Sequence, residues 1–136
     1  MNSFQNIMIA FCFLATMSGC KETPLKRMER EANETNLQCP KMIDEFTRMD
    51  SLKFLSKQKS FHYYYAIKGS SDSALTALLT NPENKERITQ QLTNQPDLRF
   101  YIEQQISFYY HYYSMQSHKL LGNIEVKPED FEKMLK

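Results

Sequence analysis

Two short stretches hold most of the side chains with chemistry of their own: SFHYYYAI over 60–67 and SFYYHYYS over 107–114. Between them they carry two of the three histidines and seven of the eight tyrosines. An imidazole changes charge near neutral pH and can ligate a metal. A phenol joins a large apolar body to a polar tip, which suits recognition. Two histidines alone do not make a metal centre, because zinc takes three or four protein ligands, and no HExxH or CxxC spacing is present. Catalytic spacing is equally absent: there is no G-x-S-x-G elbow, and Asp44, Glu45, Asp50, Glu129 and Asp130 fall in settings typical of solvated carboxylates. We therefore expect a protein that is not an enzyme and needs no cofactor or metal.

The elements that position these residues follow from periodicity. Phe61, Tyr63, Tyr65 and Ile67 alternate with His62, Tyr64, Ala66 and Lys68, and Ile106, Phe108, Tyr110 and Tyr112 alternate with Ser107, Tyr109, His111 and Tyr113. Aromatic and β-branched residues at period two predict strands. If the apolar set marks the core side, His62, Tyr64, Tyr109, His111 and Tyr113 look the other way and form a candidate partner-binding face. The competing expectation is that an amino-terminal helix or long loops cover that face. The two strands also echo each other 47 residues apart; a duplicated half-domain or shared strand composition would each explain it.

Around them, Thr23-Pro24 opens a helical pattern with Leu25, Met28 and Ala32 on one side, and Gln38-Cys39-Pro40 interrupts it. The text from Met42 to Leu55 suits a long irregular strand, joined to the first clear strand through the polar Ser56–Lys59. Gly69–Ser73 and Asn81-Pro82-Glu83 open helices, the latter with an N-cap, Pro at the first position and an early acid. Leu98, Tyr101 and Ile102 continue a helical stripe. His118 falls in the turn after the second clear strand, and Leu120, Ile124 and Val126 are expected on one side of the strand that returns. Pro128 opens a short terminal helix. The expected fold class is α+β, a small antiparallel sheet of about four strands in two hairpins with helices packed on one face.

The whole chain has 136 residues, 41% hydrophobic and 24% charged, with a formal charge of +1. That composition is globular and is large enough for a core of its own. The near-neutral balance argues against a nucleic-acid partner, and three glycines exclude most phosphate-cradling loops.

Residues 1–19 contain no Asp, Glu, Lys or Arg, and Ile7–Met17 is an apolar run of a secretory type, too short to span a bilayer, which takes ~20 residues. It ends in Met17-Ser18-Gly19-Cys20, which resembles the lipobox of bacterial lipoproteins. That resemblance implies cleavage before Cys20, acylation of its thiol and attachment to a membrane through lipid. Lys21 in the next position resembles the class sorted to the outer membrane, facing the periplasm. The expected organisation is a signal peptide over 1–19, a lipid-anchored tether or short helix over 20–38, and a single α+β domain over 39–136. Acylation of Cys20 would leave Cys39 without an intramolecular partner; an unacylated Cys20 could instead pair with it. The functional expectation is a lipid-anchored cell-envelope protein that binds a protein partner as an assembly accessory. The alternatives are an inhibitor or an immunity or exclusion lipoprotein in the periplasm, or a carrier of lipids or small molecules.

Overall fold

A computed structural model describes residues 22–135. The signal peptide, the lipobox and Cys20 lie outside the described residues. The elements run α1 (Pro24–Asn36), β1 (Lys41–Met42), β2 (Thr47–Leu55), β3 (Ser60–Ile67), α2 (Asp72–Leu79), α3 (Pro82–Thr93), α4 (Leu98–Glu103), β4 (Ser107–Ser114), β5 (Leu120–Val126) and α5 (Pro128–Met134). The fold is α+β, with one sheet in the order β1-β2-β3-β4-β5. The two expected hairpins, β2–β3 and β4–β5, are present and antiparallel.

Two details differ from the sequence reading. The sheet has five strands rather than four, because two residues, Lys41 and Met42, add an edge strand to β2. The hairpins join through a parallel pair, β3–β4, so the sheet is mixed. Parallel neighbours need a crossover that returns the chain to the same end, and α2, α3 and α4 provide it. The echo between the two Tyr-rich segments is explained by this pairing. They lie side by side in register, Ser60 opposite Ser107, Phe61 opposite Phe108 and Tyr63 opposite Tyr110. Like therefore packs on like: the ring centroids of Phe61 and Phe108 are 5.5 Å apart, those of Tyr63 and Tyr110 4.8 Å, and those of Tyr65 and Tyr112 5.4 Å.

One face of this sheet meets all five helices. Met28 and Ala32 of α1, Leu79 of α2, Ile88 and Leu92 of α3, Leu98 and Tyr101 of α4, and Phe131 of α5 share one core with the inward side chains of the strands. Tyr101 sets its ring edge-on against Phe61 and Phe108, and Phe131 does the same against Phe108. The helices begin where their sequences dictate. The Thr23 hydroxyl accepts from Lys26 N before Pro24, the Ser71 hydroxyl from Ala74 N, and Asn81 Oδ1 from Glu83 N.

The segment expected as a tether or short helix is a helix integral to the fold. Met28 is 1% exposed and Ala32 not at all, and the Asn36 side chain accepts a hydrogen bond from Leu52 N at 3.1 Å. Packing thus continues across the boundary expected at residue 39. The segment 42–55 divides into β1 and β2, and β2 carries an irregularity between Met49 and Ser51. In β5, a register shift places Leu121 in the core and Leu120 outside, opposite Tyr113. Leu120 is therefore not on the side of Ile124 and Val126, as its spacing had indicated. No helix among the described residues is long and apolar enough to cross a membrane.

Candidate functional site on the open sheet face

Among the described residues, all five helices lie on one side and the other face of β2–β5 carries no secondary structure. His62, Tyr64, Tyr109, His111 and Tyr113 lie on it, each half-buried, while Tyr63, Tyr65, Tyr110 and Tyr112 are buried in the core. α1 packs on the core side and does not cover the open face.

Four of the five outward residues form one connected cluster. His62 and Tyr109 are register partners whose rings are 4.7 Å apart and nearly parallel, and so are Tyr64 and His111. Rings lying side by side in one plane would collide at that separation, so each pair is offset-stacked across adjacent strands. The two stacks join edge to edge, His62 Nδ1 lying 2.9 Å from His111 Nε2. Ser60 Oγ lies 2.9 Å from His62 Nε2, and His111 Nδ1 lies 2.8 Å from Asn123 Oδ1. One polarity satisfies every atom with both imidazoles neutral. Ser60 donates to His62 Nε2, His62 Nδ1–H donates to His111 Nε2, and His111 Nδ1–H donates to the Asn123 carbonyl. All four ring nitrogens are engaged.

Charged groups frame the row. The Lys53 ammonium lies 5.8 Å from the centroid of the Tyr64 ring, on the β2 side. At the β5 side, Glu125 pairs with Lys127 at 3.2 Å. Burial, followed by the hydrogen bond and the charge of Glu125, raises the Tyr109 hydroxyl above its ordinary value. Burial, followed by the neighbouring His111, lowers His62 below the usual 6.5. Tyr113 stands apart from the stacks and, with Tyr64, walls a shallow cleft of about 380 Å³. Arg48, Asp50, Lys53 and His118 also line it, and Arg48 Nε pairs with Asp50 at 2.5 Å.

The alternation brought the aromatic residues together but missed their partners. Ser60, Lys53, Asn123 and Arg48 share the face; the shift in β2 blurs the signal for Arg48, whereas Lys53 alternates with Leu52 and Phe54, and Asn123 with Ile124 and Val126, so their side was legible. No group of three or more metal-ligating side chains exists among the described residues. Ser60 is 1% exposed, so its contact with His62 does not present a nucleophile to solvent.

No curated protein matches the chain. A crystal structure at 1.60 Å of a protein from Pseudomonas aeruginosa, described as a presumed secreted protein, is similar to it at a TM-score of 0.64 and 12% identity. The similarity covers 84% of this chain and 98% of that one, and at that identity it shows a shared fold. A family profile matches residues 23–122, from the first turn of α1 into β5. On that match the chain belongs to the family described as a domain of unknown function, DUF8479.

Proposed function

We propose that this chain is an extracytoplasmic, lipid-anchored envelope protein whose domain is a non-catalytic binding module, in the manner of an assembly accessory. Its protein partner docks on the open sheet face. One observation carries this reading: among the described residues, five helices crowd one side of the sheet, and the other side holds a hydrogen-bonded row of aromatic rings that no element covers. Rings locked by stacking and hydrogen bonds have little rotamer entropy left to lose on binding. The description of the Pseudomonas aeruginosa protein supports an exported location. The lipobox-like Met17-Ser18-Gly19-Cys20 supports an anchor, and Lys21 an outer-membrane destination facing the periplasm. The buried Ser60 and the fully engaged imidazoles favour binding over catalysis.

Two experiments test the two halves. The intact mass of membrane-fraction protein in a bacterial host is expected to show a chain starting at Cys20 with acyl mass, lost in Cys20→Ser; an unacylated wild type would remove the anchor. For the face, a photo-crosslinking residue at Tyr113 is expected to give a discrete adduct that the same residue at Gln90, exposed on α3, does not give. Adducts only from α3 would overturn the docking face. A single enzyme in the Tyr113 adduct would identify the inhibitor class instead.

A further inference from the structure

Resting on that reading of the open face, we propose that the partner presents an acidic protein surface and seats a carboxylate against Lys53, at the rim of the cleft whose Arg48 is already paired with Asp50. The net charge of +1 hides a segregation of sign. The two hairpins with their flanking residues, 47–68 and 107–127, hold seven Lys and Arg against two acids; the remaining described residues hold eight against fourteen. The layer of strands and turns is therefore positive and the helical layer negative. Both hairpin acids are already spent locally, Asp50 on Arg48 and Glu125 on Lys127. Lys53, Lys57, Lys59, Lys68 and Lys119 have no acid of their own within these hairpins and are all exposed.

Ring orientation points the same way. In both stacks the ring faces look along the sheet, Tyr64 toward His111 on one side and Lys53 on the other. What turns outward is the edge, the positive part of the aromatic quadrupole, while the Tyr109 hydroxyl is engaged by Glu125. A sugar that binds by stacking would need a free ring face, and the facing sides of each pair, with the outer side of Tyr64 toward Lys53, are taken. A bilayer would need a contiguous apolar patch to insert, and the exposed Leu55 and Leu120 stand at opposite ends of this face, opposite Ser60 and Tyr113, with Ser51 and Asn123 beside the rings between them. Positive edges and exposed ammonium groups around a shallow cleft match carboxylates held on a folded surface, and opposite fields on two such surfaces steer their encounter.

The test is a titration of the ¹⁵N-labelled protein with an oligoglutamate peptide, beside polygalacturonate and phosphatidylglycerol vesicles. Oligoglutamate is expected to shift amides of β2–β5 around Lys53, Tyr64 and Tyr113, and to weaken about tenfold or more between low and physiological salt. Lys53→Glu is expected to weaken it a further ~tenfold, whereas Lys26→Glu, exposed on α1, leaves it unchanged. Lys53→Gln, with a smaller loss, covers the event that charge reversal perturbs the fold. Shifts confined to the helical layer, no shifts, or tighter binding of polygalacturonate or the vesicles would each overturn the inference. If that happens while the Tyr113 adduct persists, the docking face survives and only the acidic partner falls. If the adduct is missing too, both fall.

Discussion

The hydroxyl of Tyr65 sits in the core without a hydrogen-bond partner among the described residues, and burial raises its pKa far above the ordinary phenol value. An unsatisfied buried hydroxyl costs about 1–3 kcal/mol in desolvation. Tyr65→Phe keeps the ring stacked between Tyr63 and Tyr112 and removes only that cost. Its expected effect is a gain of about 1 kcal/mol, visible as a melting temperature higher by a few degrees; a lower one would mean that the oxygen is satisfied. On the opposite face, His62 makes a pH prediction. Its folded pKa lies below the 6.5 of an unfolded imidazole, so the unfolded chain binds the proton more readily. The stability that the neutral ring contributes is whole above 6.5 and is lost as pH falls from there through the folded pKa. Lys53 opposite it on β2 and His111 on β4 disfavour a charge on His62, while Glu125 is committed to Lys127. Urea denaturation between neutral pH and about pH 5 should show falling stability in the wild type and a flatter profile in His62→Gln. Equal slopes would place the titration elsewhere.

At the scale of elements, α1 is the clearest case of a segment whose sequence conceals its place. It looks like a solvated spacer because Arg27, Arg30, Glu31 and Glu34 dominate it, yet these charges satisfy one another. Glu31, 3% exposed, is held by Arg27 at 2.9 Å, and Arg27 lies over the Phe100 ring. Three apolar residues are enough to dock the helix. Met28→Ala is accordingly expected to cost about 2–5 kcal/mol, the range for a truncated core side chain; a change within 0.5 kcal/mol would show α1 to be dispensable. The strands were legible in proportion to their regularity. β3 and β4 alternate without interruption, and their inward and outward sets can be read from the text. β2 and β5 each contain a register shift, at Met49/Ser51 and at Tyr112/Tyr113, and one extra residue exchanges inside for outside. That is why Leu120 misleads and why Arg48 escaped notice; Lys53 and Asn123 keep the alternation of their neighbours, and what the text does not reveal is which strands lie beside the histidines. The parallel joint between the hairpins was not legible, because a helical crossover can return a chain to either edge of a hairpin.

For the molecule as a whole, the family match ends at residue 122, but the core does not. Phe131 of α5 is fully buried, edge-on to Phe108, and Asp130 accepts from Lys127 N at 2.8 Å and pairs with Lys85 of α3 at 3.2 Å. A chain truncated after Lys127 is expected to lose at least the 3–5 kcal/mol of an emptied phenylalanine site, measurable by denaturant titration. Full stability in the truncated chain would show that the helix only covers the core. The centre of the sheet has a further effect on how a chain assembles. Each hairpin is local, whereas β3 meets β4 only after the whole 68–106 crossover has closed. Since every copy carries the same β3, β3 of one molecule offers β4 of another the same rungs as its own. Refolding is therefore a competition between closing the crossover and meeting a second chain. Dilute refolding should give monomers and concentrated refolding exchanged dimers that persist on dilution, separable by size-exclusion chromatography. Monomers at every concentration would mean that the crossover closes faster than molecules collide.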